Sequence, residues 1–341
     1  MLDRVSAVRA LVLVPILMGL MSCSSGEPSA PAREPAQPAR AGSNPLAGQQ
    51  LYVDPGNPAA QQARRWRAEG RGADAEAIAG LGKRPTARWL TDANAVTARA
   101  REITQRAAKA GRTAVLVAYH VPGRDCGSYS AGGSGSPEAY RDWVRGFARG
   151  IGPRHATVIL EPDAIPQAVV ESCLSDASKA QRYALLADAV RTFSKLRNVA
   201  VYIDAGNPGF VRPVGRLVSP LRAAGIKAAD GFALNVSNFF RTGHVIQYGR
   251  ALSRRLGGAH FVIDTSRNGN GPSFHDDPGG PKWCNPPGRA IGRSPTTSTR
   301  QRKVDAYLWV KQPGASDGTC RTGAPPAGHW WPDYALSLLR N

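Results

Sequence analysis

The chain has 341 residues, an apolar fraction of 42% and a net charge of +19, so it can form one large folded domain or two small ones. A surface this basic can attract nucleic acid or an anionic envelope polymer. No zinc-finger, helix-turn-helix or RNA-binding motif accompanies the charge, so we expect no nucleic-acid partner.

The amino-terminal segment predicts export. Arg4 and Arg9 precede the apolar run ALVLVPILMGLM, which has the length of a signal-peptide core and is short for a membrane span. The run ends in LMSC, which resembles the bacterial lipobox whose cysteine, here Cys23, becomes acylated. We expect residues 1–22 to be a signal peptide. The mature chain is then a membrane-anchored lipoprotein or, if it is cut without acylation, a secreted protein.

Residues 23–49 are rich in Pro, Ala and Ser and poor in large apolar side chains. Such a segment cannot build a core, and its composition predicts an extended tether. We expect no carbohydrate-binding module in it, and membrane contact only through the lipid. Residues 50–341 are predicted to form one domain, because no second linker interrupts them.

The remaining cysteines are even in number, which in an exported protein suggests two disulfides with three alternative connectivities. They lack the CxxC or Cys/His spacing of a metal site, so we expect no metal and no cofactor. The four are Cys126, Cys173, Cys284 and Cys320.

Seven segments have the composition of buried strands. Most are continuous apolar runs, as expected for parallel strands covered on both faces. They are Thr86 to Leu90, Thr113 to Tyr119, Thr157 to Asp163, Val199 to Gly206, Gly231 to Asn238, His260 to Ser266 and Ala306 to Lys311.

Amphipathic segments such as Pro137 to Ile151 and Lys179 to Leu196 separate these strands. Repeated strand–helix units form either an open doubly wound sheet or a barrel. Polar residues follow many different strands, and in a barrel the carboxyl ends of all strands meet at one face. We therefore predict an α/β fold, a distorted seven-stranded parallel βα barrel resembling a TIM barrel.

Two aspartates follow neighbouring strands. Asp163 ends the run VILEPD, where it could equally cap the next helix, and Asp125 lies in a glycine-rich loop, where it could be a turn residue. Neighbouring carboxylates raise each other's pKa, and an aspartate protonated at neutral pH can act as a general acid. Both acids of VILEPD, Glu161 and Asp163, are expected to face a cleft.

A third aspartate, Asp317, lies in LWVKQPGASDGTC, where the bland interpretation is an ordinary Asp-Gly turn. Trp89 and Trp283 also lie near predicted strand ends or loops. A lone Trp is more often part of a core, but several around a group of acids suggest stacking against sugars.

These residues resemble glycoside hydrolase family 6, the inverting β-1,4-glucanases. The similarity runs from about Leu51 to the carboxyl terminus. It depends chiefly on VAYHVPGRDCGSYSAGG and VILEPDAIP, with further agreement in ALNVSN, IDTSRNGNGP, WCNPPGRAIG and LWVKQPGASDG. The resemblance implies a distorted seven-stranded barrel, in agreement with the strand count, and disulfides paired in sequence order.

The resemblance also implies roles for individual residues. Asp163 matches the general acid and Asp125 the aspartate that tunes it and helps organise the attacking water. Asp317 matches a proposed base, and a water relay through Asp125 is the alternative. Substrate-binding positions are matched by Trp89, Tyr119, Ser130, Asp204, Asn207, Asn238, Trp283 and Lys311.

Three positions depart from the family pattern. Asn207 replaces the usual His, Phe210 the usual Trp, and Ala315 a Glu that binds substrate. All three changes remove sugar contacts. They motivate an alternative to catalysis, a glycan-binding lipoprotein that retains the barrel without turnover.

The three aspartates are intact, so the resemblance implies a monomeric hydrolase that cleaves β-1,4-glucan with inversion. In inverting glycosidases, the acid and base carboxyl groups lie roughly 6.5–9.5 Å apart to admit water. The connections between strands are compact, which favours an open cleft and internal cleavage over exo-acting cellobiose release.

Overall fold

The computed structural model describes residues 43–276 and 279–341. The predicted signal peptide, Cys23 and most of the predicted tether lie outside the described residues. From residue 43 onward, the described chain belongs to one compact unit.

Seven parallel strands form one sheet in the order β1 to β7, so every strand pairs with its neighbours in sequence. This confirms the prediction of a curled seven-stranded parallel barrel. The strands are β1 Arg88–Leu90, β2 Ala114–Ala118, β3 Ala156–Leu160, β4 Val199–Asp204, β5 Gly231–Leu234, β6 His260–Asp264 and β7 Val304–Leu308.

Several strands end earlier than predicted because the backbone turns at the first polar residue. Glu161 and Asp163 have φ values of 48° and 67°, and Asn235 has 65°. Such left-handed conformations are incompatible with an extended ladder. The residues that we placed at strand ends therefore lie in the loops just beyond them.

Alternate residues of each strand face opposite sides of the sheet. One set, including Val117, Ile159, Tyr202 and Val262, packs together inside the barrel. The intervening set, including Val158, packs against the surrounding helices. The two-residue period of a strand thus separates an inner core from an outer one.

Helices cover the outside of the sheet. The predicted helix Pro137–Ile151 is confirmed, and its first turn is capped by Ser136, whose Oγ accepts a hydrogen bond from the Ala139 amide at 3.1 Å. The helices are α1 Pro58–Ala68, α2 Gly72–Gly82, α3 Val96–Lys109, α4 Pro137–Ile151, α5 Ala164–Val170, α6 Asp176–Ser194, α7 Val218–Ala223, α8 Thr242–Arg255 and α9 Pro332–Arg340.

The folded domain begins earlier than the predicted boundary at residue 50. Leu46 is only 2% exposed and packs with the inner core of the barrel. Asn44 donates from Nδ2 to the carbonyl oxygen of Asp305 at 3.1 Å. These contacts are with the beginning of β7, so residues 43–51 close the amino end of the barrel.

The two ends of the described chain meet beside the opening between β1 and β7. Here the Ala87 amide donates to the Trp309 carbonyl at 2.9 Å. Helices α1 and α2 share a third apolar cluster with Trp309 and with α9, through Ala335 and Leu336.

Two disulfides join Cys126 with Cys173 and Cys284 with Cys320. This is the sequential pairing implied by the family resemblance. Each bridge fixes a loop at the carboxyl end of the barrel. In residues 43–276 and 279–341, the helices are too short or too polar to cross a bilayer.

Candidate active site

The carboxyl ends of the parallel strands bring the predicted acids together. Asp204 ends β4, and its Oδ2 accepts a hydrogen bond from the Asp163 amide at 2.9 Å. Asp264 ends β6, and its Oδ2 accepts from the Lys311 amide at 2.9 Å. Carboxylates at strand ends thus hold the loops that carry the neighbouring site residues.

Asp163 lies half-buried at the amino end of α5, with a left-handed backbone. Its side chain makes no cap hydrogen bond to that helix, so the helix-cap interpretation is wrong. Burial, followed by the charges of Asp204 and Asp125, raises the pKa of Asp163 well above that of an ordinary aspartate. Surroundings that disfavour the ionised carboxylate favour the protonated form, which a proton donor requires.

Asp204 lies beneath Asp163 and is only 1% exposed. Its Oδ2 also accepts from the Gly206 amide at 3.1 Å, whereas Oδ1 has no partner among the described residues. Burial raises the pKa of Asp204 to about 7. We predicted a sugar contact for this residue. In the structure, its carboxylate accepts from the Asp163 backbone amide and so holds the loop that carries Asp163.

Asp125 is held by its own loop. Its Oδ2 accepts from the amide and the hydroxyl of Ser130 at 2.7 and 2.8 Å, and its Oδ1 accepts from Gln167 Nε2 at 3.2 Å. Ser130 Oγ lies 3.2 Å from the hydroxyl of Tyr119. Asp125, Ser130 and Tyr119 therefore form one connected group.

An aromatic wall stands beside these acids. Trp89 and Tyr119 pack edge to face with ring centroids 5.1 Å apart, and Trp89 Nε1 donates to the Val310 carbonyl at 2.8 Å. The guanidinium of Arg124 lies 4.6 Å from the centroid of the Tyr119 ring. Arg124 also donates to the Tyr119 carbonyl at 2.6 Å and to the Ser130 carbonyl at 2.8 Å, which fixes the shape of the loop.

Asp317 lies against two cations, whereas Asp163 lies near other carboxylates. Arg267 donates to both of its carboxylate oxygens at 2.9 Å, and Lys311 Nζ lies 3.0 Å from Oδ1. The Asn285 amide donates to Oδ2 at 2.9 Å. Burial alone would raise the pKa of Asp317, but Arg267 and Lys311 outweigh it and hold the pKa at about 2.

The remaining predicted sugar-binding residues lie around the same face. Trp283 is 45% exposed, and its ring centroid is 6.0 Å from that of Tyr129. Asn207 is buried, and its Oδ1 accepts from the Gly209 and Phe210 amides at 2.9 and 3.0 Å. Asn238 Oδ1 accepts from the Phe239 amide at 3.1 Å. Lys311 points to Asp317 and to the Ser316 carbonyl, at 2.8 Å.

Glu161 does not face the cleft, contrary to our prediction. Its carboxylate is buried and accepts from the amides of His120 and Val121 at 2.9 and 3.0 Å and from the Tyr140 hydroxyl at 3.0 Å. The left-handed backbone at Glu161 turns the side chain away from Asp163. Glu161 therefore supports the loop that leads to Asp125.

One group among the described residues has ligand atoms close enough for a metal ion: Cys126, Glu171 and Cys173. Both of its sulfur atoms are joined in a disulfide, so neither is a thiolate ligand.

Two functional positions were missed from the sequence. Arg267, inside the motif IDTSRNGNGP, is fully buried and pairs with Asp317. Gln167 lies four residues after Asp163, one helical turn away, and bonds Asp125. The helical spacing could have indicated Gln167, but the pairing of Arg267 depends on contacts across 50 residues.

Comparisons with known proteins agree with this geometry. Residues 46–341 match the family model described as Glycosyl hydrolases family 6. Endoglucanase A of Cellulomonas fimi is 42% identical over 85% of this chain and 61% of its own length. Endoglucanase 1 of Streptomyces halstedii is 37% identical over 85% of this chain and 88% of its own length.

The chain spans 61% and 55% of the two Endoglucanase A relatives, from Cellulomonas fimi and Thermobispora bispora. Among solved structures, the endoglucanase Cel6 of Mycobacterium tuberculosis, in complex with a methyl-cellobiosyl-thio-cellobioside, is 42% identical with a TM-score of 0.80. That match covers 87% of this chain and 98% of the solved one.

Proposed function

The chain belongs to glycosyl hydrolases family 6, and from this membership we propose that it hydrolyses β-1,4-glucosidic bonds in cellulose-like glucans with inversion. The observation that carries the proposal is the environment of Asp163. Its pKa is raised by burial and by two neighbouring carboxylates, at the face where strand ends converge. A raised pKa favours the protonated carboxyl group, the form in which a general acid donates a proton to a leaving oxygen.

We assign the general acid to Asp163 and the activation of water to a relay through Asp125. The alternative base, Asp317, is occupied by Arg267, Lys311 and the Asn285 amide, and its low pKa makes it a poor proton acceptor. Among the described residues, Asp125 has no such cation in an ion pair: its carboxylate accepts from Ser130 and Gln167. Lys311, Arg267 and Asp317 then form a fixed polar wall of the cleft.

Binding of the glucan is assigned to the aromatic wall and the surrounding polar groups. Trp89, Tyr119 and Trp283 offer ring faces for sugar stacking. Ser130, Asn207, Asn238 and Lys311 supply the polar groups around them. We propose a single chain as the active unit.

Inversion is tested by NMR of fresh products from a soluble cello-oligosaccharide. An inverting enzyme releases the α-anomer first. Initial accumulation of the β-anomer would contradict the mechanism.

Internal cleavage is supported by the relatives. Those at 37–42% identity are named endoglucanases, whereas relatives named cellobiohydrolases are about 30% identical. We expect a rapid fall in the viscosity of carboxymethyl cellulose for each reducing end released. Processive release of cellobiose without loss of viscosity would be the opposite result.

A glycan-binding protein without turnover is the second candidate, favoured by Asn207, Phe210 and Ala315. Ala315 is buried and its backbone pairs with Trp330, so this position offers no side chain to a sugar. A reducing-sugar assay on soluble glucan separates the two candidates. A hydrolase releases reducing ends, and a glycan-binding protein without turnover does not.

We propose that acylation at Cys23 anchors the enzyme at the outer face of a membrane. The support is the lipobox-like LMSC and the disulfides, which require an oxidising compartment. Mass spectrometry of the mature amino terminus provides the test. A lipidated Cys23 supports the anchor, and an unmodified terminus in the culture medium indicates secretion.

A further inference from the structure

The amino ends of the strands form a second face, opposite the active site. We define the amino-end face as the connections that enter the strands, because parallel strands gather these connections at one end of the barrel. Hydrogen bonds join neighbouring connections. Asn198 donates to the Pro153 carbonyl at 2.8 Å, and Ser194 donates to the Ala228 carbonyl at 2.7 Å.

The same face continues toward β6 and β7. Arg222 donates to the Arg255 carbonyl at 3.2 Å. Lys303 Nζ lies 3.1 Å from Nε2 of His260, the first residue of β6. The segments around β4 to β7 therefore form a continuous surface.

This surface is strongly basic. Six exposed cations on it form no ion pair within residues 43–276 and 279–341: Lys195, Arg222, Lys227, Arg254, Arg255 and Arg302. The connections 195–198, 224–230, 256–259 and 297–303 contain a single acid, Asp230. The Asp230 carboxylate is used internally, where it accepts from the Val201 amide at 2.8 Å.

The flanks of the same domain carry ion pairs as well as unpaired cations. On helices α3, α4 and α6, the pairs include Arg106 with Glu102 and Arg191 with Asp188. Basic residues in the last turn of a helix also complement its dipole, which accounts for Arg254 and Arg255. It does not account for Lys227 or Arg302, which lie in connections beyond any helix.

The described chain enters the domain on this face. Asn44 bonds the Asp305 carbonyl at the start of β7, and Leu46 fills the amino end of the barrel. Thr297 donates to the Gln49 carbonyl at 2.9 Å, which holds the same segment against the connection before β7. The sequence before Ser43 therefore joins the domain on the amino-end face and not beside the cleft.

From the coincidence of these two features, we propose that the amino-end face docks on an anionic lipid bilayer and turns the acid-lined cleft away from it. Juxtamembrane basic residues are attracted to anionic headgroups within a Debye length of the surface. This docking adds a direct contact to the lipid anchor and does not depend on acylation.

The test uses the full chain with Cys23→Ser, so that no acyl group contributes to binding. Two triple variants remove the same charge: Lys195→Gln/Lys227→Gln/Arg254→Gln on the amino-end face, and Arg64→Gln/Arg65→Gln/Arg101→Gln on α1 and α3. The three control arginines are exposed and take part in no ion pair among the described residues. Binding to vesicles of phosphatidylcholine, with and without phosphatidylglycerol, is measured by co-sedimentation. Binding to a soluble polyphosphate is measured separately.

We expect binding to phosphatidylglycerol vesicles that weakens about five-fold for each basic residue removed, so about a hundred-fold for the first triple variant. The control triple variant should bind within about three-fold of the parent, since its charges lie on α1 and α3 and not on the connections of the amino-end face. Binding should fall with added salt.

Three outcomes would overturn the proposal: equal losses in both triple variants, binding to polyphosphate without binding to vesicles, or no binding to either. Hydrolysis of soluble glucan is measured in parallel. Because the face lies opposite the active site, all variants should retain it, and a failure of docking is distinguishable from a failure of the proposed activity.

Discussion

The two sides of the cleft bury the same kind of residue in opposite electrostatic surroundings. On the side of β3 and β4, the Asp163 amide bonds the Asp204 carboxylate, no cation of residues 43–276 or 279–341 forms an ion pair with either acid, and the pKa of each is raised. On the side of β6 and β7, Asp317 lies against Arg267 and Lys311, and its pKa falls to about 2. A carboxyl group that must release a proton is crowded with acids, and one that must remain charged is surrounded by cations.

The substitution Asp163→Asn is expected to have the largest effect on the rate of hydrolysis. The variant lacks the proposed proton donor, so hydrolysis of unactivated glucan should fall about 10²–10⁴-fold. A cellobioside with a good leaving group, which needs little protonation, should be affected less. Rates are measured by reducing-sugar release and chromophore release.

The matched control is Asp176→Asn, an exposed aspartate in the first turn of α6. It should retain full activity, and both variants should unfold at the temperature of the wild type. Near-normal hydrolysis by Asp163→Asn would contradict the assignment of Asp163 as the general acid.

Removal of a cation that pairs with Asp317 should lower the stability of the fold. Arg267→Met leaves the buried Asp317 without its two-point partner, and the loss of one member of a buried pair costs about 3–5 kcal/mol. The free energy of unfolding, measured in urea, provides the test. Arg241→Met is the control, because Arg241 is exposed and its guanidinium bonds, among the described residues, the Gly269 and Asn270 carbonyls. Equal stabilities of the two variants would show that the pair at Asp317 contributes little.

The low pKa of Asp317 predicts an acid-dependent stability. Its folded value of about 2 lies below the ordinary value of 3.8, so ionised Asp317 stabilises the fold above about pH 4 by about 2 kcal/mol. That contribution is lost as the pH falls from about 4 to about 2. The difference in unfolding free energy between wild type and Asp317→Asn should therefore shrink over this range. A difference that is constant with pH would contradict the assignment.

The smallest expected effect is a change in pH dependence. Asp204→Asn removes a negative charge that raises the pKa of Asp163, so the alkaline limb of the rate profile should move to lower pH. Asn can still accept the Asp163 amide, which preserves the loop. Asp230→Asn, at the opposite end of the barrel, is the control and should leave the limb unchanged. An unmoved limb in Asp204→Asn would mean that Asp204 does not tune the acid.

The sequence was informative about the barrel because its strands are apolar on both faces and separated by helical periodicity. It was also informative about which residues gather at the carboxyl ends. It was not informative about side-chain direction where the backbone is left-handed, as at Glu161, which turns into the support of a loop. Nor did it indicate that Lys311 would pair with Asp317, because that contact depends on how two loops meet in space.

The shared cluster of α1, α2, Trp309 and α9 has a consequence for biogenesis. A chain that emerges amino terminus first, from a ribosome or a translocation channel, presents α1 and α2 long before their apolar partners Trp309 and Leu336 are synthesised or delivered. Until then, the apolar faces of these two helices, including Trp66, lack the residues that cover them in the folded domain. This cluster is therefore complete only after α9 has been synthesised. A premature stop that deletes α9 should leave Trp66 and its neighbours partly exposed and favour aggregation.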